Sequence, residues 1–271
     1  MAARASRVVL ITGANRGLGR GTVERLLAES PDYRVIMTAR RAEEGQKALS
    51  EINRLGNYQG RLFFYPLDIT NAASITQLKD HIRTTYGALD VLVNNAGIFF
   101  KGWDPTEEVA RNTVATNYTA TVNITEELLS IMRPGGHIVT VTSWLGMLNQ
   151  VSGGLRATLT DKSLTPEGVH ALARSYVQSV GDGTASRKGW PRDPYFASKV
   201  LLNAYVRVRA PQLVSQNIRM NALCPGWVRT DMGGQEGNLT IREGAAMPVM
   251  LIRDESTGTG QFWRDRRVSS W

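Results

Sequence analysis

Tyr195 and Lys199 stand four residues apart in Tyr195-Phe196-Ala197-Ser198-Lys199, a spacing that places both side chains on one face of a helix. A helix start precedes them, because Asp193 offers a capping carboxylate and Pro194 suits a first turn. A phenol titrates near pH 10 in water and exchanges protons poorly at neutrality; a neighbouring ammonium favours the phenolate and draws that value toward working pH. The pair therefore suits proton transfer, whereas the same spacing on an ordinary surface helix carries no chemistry. Two more polar residues fit such a site. Ser143 closes the run Val139-Thr140-Val141-Thr142-Ser143, where its hydroxyl can hydrogen-bond a carbonyl oxygen that is gaining negative charge. Asn117 lies inside a helix-period segment, Ala115-Thr116-Asn117-Tyr118, where asparagine is disfavoured and a polar task is indicated.

Near the N-terminus, an apolar run breaks into Thr12-Gly13-Ala14-Asn15-Arg16-Gly17-Leu18-Gly19 and opens a helix. Gly13 supplies a tight turn, and Gly17 and Gly19 remove side chains so that a pyrophosphate can approach the amides of a helix N-terminus. Glycines also mark plain strand-to-helix turns, and that alternative stands beside the first. After the second strand comes Thr38-Ala39-Arg40-Arg41, arginine where an NAD-binding fold places an acid. Arg40 and Arg16 would give two guanidinium groups to a 2′-phosphate, a preference for NADP(H), unless both are solvated surface arginines. Asp68, in Pro66-Leu67-Asp68-Ile69, could accept an adenine amino group or cap the following helix. The small residues of Asn94-Asn95-Ala96-Gly97 would let backbone lie against the adenosine half of a cofactor, though a simple turn uses the same residues.

Elements able to position these groups alternate regularly. Strands are expected at 8–12, 33–39, 62–67, 91–94, 136–142 and 218–224, with a last one near 260–263, and their apolar continuity suits a parallel sheet covered on both faces. Helices are expected at 18–29, 42–55, 72–86, 107–132 and 194–214. This is the pattern of an α/β, Rossmann-type, doubly wound sheet of mostly parallel strands, seven in number, with ligands at the carboxyl ends of the strands. One insertion, at about 149–190, breaks the rhythm, far exceeding the usual 2–6 residue connection. It holds a helix, because Thr165-Pro166-Glu167 reads as a capped start and Val169, Leu172, Ala173, Tyr176, Val177 and Val180 share one face before Gly181. The glycine- and proline-bearing stretch before Tyr195 is expected as a loop at the site mouth.

The 271 residues suit one domain, 1–271, and the 42% hydrophobic and 21% charged fractions are those of an ordinary globular protein. No apolar run reaches membrane-spanning length, and residues 1–7 lead into a strand too short for a signal peptide core, so the expected location is cytoplasmic. A single cysteine, Cys224, excludes an internal disulfide, and its setting at a strand end argues against a catalytic thiol. The net charge of +8 is carried by scattered basic residues rather than a stripe, which argues against nucleic acid as a partner.

Thr12-Gly13-x-x-x-Gly17-x-Gly19, Asn94-Asn95-Ala96-Gly97, Asn117, Ser143, Tyr195-x-x-x-Lys199 and Pro225-Gly226 occur in an order and spacing that resemble the short-chain dehydrogenase/reductase family over essentially the full chain. The chain looks most like the monomeric NADPH-dependent carbonyl reductases of that family. That likeness lies in the insertion, Gly189-Trp190-Pro191, the stretch from Cys224 to Met232, and the ending from Gly260-Gln261-Phe262 to Trp271. The resemblance implies hydride transfer from NADPH to a ketone, aldehyde or quinone carbon, with Tyr195 giving the proton and Ser143 polarising the carbonyl. Lys199 would bind the nicotinamide ribose and lower the Tyr195 pKa, and Asn117 would hold a water between Lys199 and solvent. It further implies that Thr12, Gly13, Asn15, Arg16, Gly17, Leu18, Gly19, Arg40, Asp68, Ile69, Asn95, Ala96 and Gly97 bind the cofactor, with Pro225, Gly226 and Val228 bordering the nicotinamide and Thr230 bonding its carboxamide. No metal is implied.

Trp144, directly after Ser143, departs from the smaller aliphatic residue usual in close relatives. With Trp227 and Met232 in a substrate loop at about 227–248, it would favour flat or apolar carbonyl compounds, unless either indole serves packing alone. Most short-chain reductases pair through the long helices around the fifth strand; an insertion covering that face implies a monomer. Two other functions stand beside this one. A reductase or dehydrogenase dedicated to one secondary alcohol would carry the same residues, whereas a non-catalytic NADP(H) sensor has no need of Ser143, Tyr195 and Lys199 together. A methyltransferase shares only the first turn, and no Gly-Lys-Ser/Thr follows that turn to make a P-loop.

Overall fold

Short runs of β-branched and aliphatic residues form the strands, and each returns through a helix that buries one apolar stripe on the sheet. The computed structural model describes residues 6–100, 102 and 105–271. The strands are β1 (Arg7–Ile11), β2 (Tyr33–Ala39), β3 (Leu62–Pro66), β4 (Leu89–Asn94), β5 (Met132–Val141), β6 (Arg219–Leu223), β7 (Phe262–Arg264) and β8 (Arg267–Ser269). The helices are α1 (Gly17–Glu29), α2 (Ala42–Leu55), α3 (Ala72–Tyr86), α4 (Glu107–Val114), α5 (Thr121–Leu129), α6 (Gly153–Thr160), α7 (Pro166–Gly181), α8 (Pro194–Arg209), α9 (Ile241–Gly244) and α10 (Ala246–Arg253).

The sheet order is β3-β2-β1-β4-β5-β6-β7-β8. The first seven strands pair in parallel and β8 runs antiparallel to β7. The chain winds outward from β1 to β3, then returns to β4 on the other side of β1, so a crevice opens at the carboxyl ends of β1 and β4 where the winding reverses. Alternation along β1 divides the core. Val8 and Leu10 join the layer containing α3, α4, α5, α7 and α8 residues, while Val9 and Ile11 join the layer of α1, α2 and α10 residues. No helix among the described residues is long and apolar enough to cross a membrane.

Four elements differ from the sequence expectation. The single helix expected at 107–132 is broken by a π-helical turn, Ala115–Ala120, between α4 and α5. β5 starts at Met132, with an irregular register between its partners Leu89 and Val91. The helix expected at 194–214 stays regular only to Arg209, where Pro211 follows and Ala210–Gln216 tightens to a 3-10 helix. An eighth strand is added by a hairpin whose turn residues Asp265 and Arg266 both have positive φ, 51° and 59°. The insertion helix α7 forms as read, with Thr165 Oγ accepting from Gly168 N at 3.2 Å. It packs on both α4 and α8, while α6, opened by the glycine pair Gly153-Gly154 and burying Leu155 and Leu159, was not read from the sequence.

His137 is fully buried on β5. Its Nδ1 donates to the Leu251 carbonyl on α10 at 3.0 Å, which leaves Nε2 to accept from Asn221 Nδ2 at 3.0 Å. Burial, aided by the nearby Arg219 charge, holds its pKa down to about 3, so the folded chain keeps the ring neutral. Below the ordinary histidine value of 6.5 the unfolded chain binds a proton there that the folded chain refuses. Stability from this residue is present above pH 6.5 and falls as pH drops toward 3, at up to about 1.4 kcal/mol per pH unit. Urea denaturation at pH 7 and pH 5 is expected to show a shallower loss in His137→Gln than in the wild type; equal losses would contradict this assignment.

Candidate active site

The ends of β1 and β4 are stitched together before any ligand is considered. Thr12 Oγ accepts from the amides of Asn95 and Ala96, each at 3.0 Å, and donates to the Val93 carbonyl at 3.3 Å. Asn95 Nδ2 donates back to the Thr12 and Gly13 carbonyls at 2.8 and 3.0 Å. Gly13, with φ of 61°, has Ala96 Cα only 2.9 Å from where a Cβ would stand. At Gly19 a Cβ would lie 2.4 Å from Asn95 Nδ2 and 2.5 Å from the Gly13 carbonyl. The missing side chain of Gly19 thus makes room for the chain's own second turn, a need the sequence reading did not identify.

Gly17 begins α1 with φ of 55°, and the Thr230 methyl lies 3.4 Å from a notional Cβ. The helix has no side-chain cap and no acid in its first turn, leaving the leading N–H groups to an anion. Arg40 is exposed just past β2, and Ala14 of the glycine turn donates to the Thr38 carbonyl at 2.7 Å, so that strand end borders the turn. Arg16 reaches the other way, its Nη1 at 3.3 Å from Asp231 of the loop after β6. Asn15 Nδ2 donates to Glu44 at 3.1 Å, and Glu44 also pairs with Arg41. Free amides, a glycine turn and two exposed guanidinium groups fit a dinucleotide carrying an extra phosphate. Asp68 does not cap α3; that place belongs to Asn71, which accepts from Ser74 N, while Asp68 holds the amide and hydroxyl of Thr70 at 2.9 and 2.6 Å. Ile69 is a core residue, and Leu18 packs on the α1-side layer.

On the β5 side, Asn117, Ser143, Tyr195 and Lys199 come together. The π turn lets the buried Asn117 face the strand-end loop. Its Oδ1 accepts from Ile98 N at 2.8 Å, and its Nδ2 donates to the Ile98 carbonyl at 2.9 Å and to Ser198 Oγ at 3.1 Å. The same side chain borders Gly97, where a Cβ would stand 3.2 Å from Asn117 Oδ1. Ser198, which sequence reasoning passed over, in turn donates to the Tyr195 carbonyl at 2.7 Å. Asp193 caps α8 as expected, accepting from Tyr195 N at 2.8 Å. Ser143 caps the short 3-10 turn Trp144–Gly146, with Oγ accepting from Leu145 N at 3.1 Å. That turn lies directly on α8: a Cβ at Gly146 would stand 2.6 Å from the Lys199 carbonyl carbon, and Asn203 Nδ2 donates to the Gly146 carbonyl at 3.0 Å.

Lys199 is buried and donates through Nζ to the Val141 carbonyl at 2.9 Å, with that nitrogen 5.4 Å from the Tyr195 ring centroid. Burial lowers its ammonium to about 8. Burial also pushes the Tyr195 phenol well above its ordinary value, and the neighbouring Cys224 adds to the rise while a hydrogen bond with Ser143 opposes it. The expected lowering of the phenol by Lys199 is thus reversed here. Desolvation of the phenolate outweighs an ammonium that is itself desolvated and committed to a backbone carbonyl. Phe99, another residue the sequence reading missed, meets the Tyr195 ring edge-on at 5.2 Å and 71°, a contact worth about 0.5–1.5 kcal/mol beyond burial. The Phe99-Phe100 pair two residues after Gly97 was its one sequence signal. Cys224 is buried with its thiol pushed up, which keeps it protonated.

Trp144, Trp227 and Met232 are exposed at 42%, 48% and 39%, so neither indole serves as core. Trp227 Nε1 donates to the Gly233 carbonyl at 2.8 Å, fixing its ring against its own loop. Pro225 and Gly226 follow β6 after Cys224, and Val228 packs beneath Gly244. Thr230 Oγ accepts from Gly233 N at 3.0 Å and donates to the Val228 carbonyl at 3.4 Å, so its hydrogen bonds serve the loop. The loop is anchored beyond its tip, where Ile241 Cγ2 lies 2.3 Å from a notional Cβ at Gly21 of α1 and Arg25 donates to the Arg242 carbonyl at 2.9 Å.

This arrangement, with a switch-point crevice, a glycine turn and a Ser-Tyr-Lys cluster on one sheet edge, is matched by known proteins. The short chain dehydrogenase family pattern matches residues 7–155, and an enoyl-(acyl carrier protein) reductase pattern matches residues 182–246. The chain belongs to the short-chain dehydrogenase/reductase family. Among relatives of this short-chain reductase, carbonyl reductase (NADPH) 3 of Rattus norvegicus is 38% identical over 98% of this chain and 99% of its own. Salutaridine reductase from Papaver somniferum superposes with a TM-score of 0.86 at 28% identity, over 95% of this chain and 99% of that one. An NADPH-bound carbonyl reductase from chicken fatty liver superposes with a TM-score of 0.74 at 26% identity, over 99% and 100%.

The packing of the two turns makes a test that needs no assay of function. Gly19→Ala is expected to cost about 1–3 kcal/mol in urea denaturation, because backbone and the braced Asn95 side chain meet the new methyl. Stability unchanged within 0.5 kcal/mol, roughly the scatter of surface substitutions, would show that the turn has room to shift.

Proposed function

We propose that this short-chain reductase uses NADPH to reduce ketones, aldehydes or quinones to alcohols, with Tyr195 as proton donor. The observation that carries this reading is the Tyr195 phenol, hydrogen-bonded to Ser143 and with the Lys199 ammonium nitrogen 5.4 Å from its ring centroid. NADPH, when bound, supplies the hydride. Ser143 then hydrogen-bonds the carbonyl oxygen as its charge grows, and the Tyr195 hydroxyl passes its proton to that oxygen. Desolvation makes release of the Tyr195 proton costly, and a nascent alkoxide, a stronger base than phenolate, draws it off. Lys199, with its ammonium at about 8, stabilises the phenolate left behind and is poised to return a proton at neutral pH.

Thr12, Gly13, Asn15, Gly17, Leu18, Gly19, Asn95, Ala96 and Gly97 would shape the cofactor cleft, and Asp68 and Ile69 its adenine end. Arg16 and Arg40 would hold the 2′-phosphate, and Pro225, Gly226, Val228 and Thr230 would flank the nicotinamide. The sequence relatives that are carbonyl reductases (NADPH) support both activity and cofactor. The exposed Trp144, Trp227 and Met232 support flat or apolar carbonyl substrates. A cytoplasmic monomer of one domain completes the proposal, supported by α7 lying over α4 and α8.

Absorbance at 340 nm with a panel of quinones, aromatic aldehydes and ketones tests the reading. NADPH oxidation well above that with NADH is expected, falling at least a hundredfold in Tyr195→Phe, in keeping with loss of a general acid. Trp144→Ala is expected to reorder kcat/KM across the panel while leaving NADPH affinity unchanged. No turnover with tight NADPH binding would overturn the reductase reading, and unaltered kcat/KM ratios would remove Trp144 from the pocket. Light scattering should return one chain mass, 29.8 kDa; twice that mass would refute the monomer.

A further inference from the structure

The insertion helix α7 reaches the catalytic cluster through three aromatic rings. Tyr118 of the π turn, His170 of α7 and Tyr205 of α8 meet with centroids 5.7 Å (Tyr118–His170), 6.3 Å (Tyr118–Tyr205) and 6.2 Å (His170–Tyr205) apart. The Tyr118 hydroxyl lies 2.8 Å from His170 Nδ1. Burial holds the Tyr118 phenol well above its ordinary value, and with Nδ1 as the bare nitrogen of the neutral His170 ring the hydroxyl is the donor. Tyr205 donates to Glu126 of α5, and Glu126 is gripped by Arg209 through two bonds of 2.7 Å each. Both tyrosines are 1% exposed, where a hydroxyl stripped of its partner is costly.

A π-helical turn is an uncommon backbone state, met mostly as single turns at functional sites. Here it is built from Ala115-Thr116-Asn117-Tyr118-Thr119-Ala120, whose central four residues are poor helix formers. Local preference does not sustain it, so contacts with other elements must. Asn117 ties one part of the turn to Ile98 and Ser198. Tyr118, the next residue, ties the turn to the insertion through His170.

We propose that His170 is a positioning residue: through Tyr118 it locks the π turn, and thereby sets the Asn117 carboxamide that holds Ser198 and the start of α8. The insertion is on this view part of the active-site scaffold, beyond its role as a cover. The kinetic consequence rests on the carbonyl reductase reading; the structural consequence does not.

His170→Phe keeps a ring of similar size and removes the acceptor, and His170→Asn keeps an acceptor near Nδ1 without the ring. Hydrogen–deuterium exchange of the full-length protein is expected to speed up at least tenfold in peptides spanning 115–120 in His170→Phe, with β1 and β4 peptides unchanged. In the same variant, kcat for a panel ketone is expected to fall at least fivefold, while its KM and the NADPH Kd, read by nucleotide fluorescence, stay within twofold. His170→Asn is expected to bring both exchange and kcat to within twofold of wild type. Tyr118→Phe, which removes the donor instead, should reproduce His170→Phe and stands in for it if that variant fails to fold. Unchanged exchange at 115–120, or no rescue by His170→Asn, would overturn the proposal. Exchange that changes while kcat holds would reduce the contact to packing. The expected exchange pattern in a wild type that turns over no carbonyl would instead overturn the function and leave the brace standing.

Discussion

Everything chemical in this molecule depends on how closely α8 approaches the turn after β5. Gly146 lies so near the α8 backbone that any side chain there would collide with Lys199, and Asn203 secures the contact with a hydrogen bond. That approach puts Ser143, at the end of a strand, within reach of Tyr195, at the start of a helix. It also buries Lys199 against the Val141 carbonyl of the same strand. α8 can be drawn in so far because it is apolar nearly all round, with partners in the sheet, α4 and α7.

The depth of that burial sets the chemistry. Desolvation disfavours both ionised forms, so the phenol holds its proton more tightly and the ammonium less tightly. Two groups that in water titrate close together are thereby pushed apart in opposite directions. Neither shift needs a charge partner. The same desolvation keeps His137 neutral in the core and raises the Cys224 thiol beside Tyr195.

A second structural theme is the use of one turn to brace another. Asn95 and Thr12 tie the glycine turn to the end of β4, Asn117 ties the loop after β4 to α8, and the loop after β6 rests on α1 through Gly21 and Ile241. Each bond joins residues far apart in the chain and close to the carboxyl edge of the sheet. The edge is consequently rigid where a cofactor would lie, while the aromatic residues Trp144 and Trp227 stand outward on its rim.

The order of strands and helices, the glycine turn, the cap of α8 and the Tyr-x-x-x-Lys pair at 195 and 199 were determined by the sequence itself, because apolar period, glycine spacing and capping chemistry act over a few neighbouring residues. The amphipathic face of α7 was legible for the same reason. Only the tertiary structure decided the rest. It assigned Gly19 to the Asn95 side chain and α3 to the cap of Asn71, it broke the helix at Ala115–Ala120, and it returned the chain as β8. It also reversed the expected shift of Tyr195 and brought in Ser198 and Phe99. These features depend on distances between segments remote in the chain and on how much water the packed chain excludes, and neither quantity is encoded in any local run of residues.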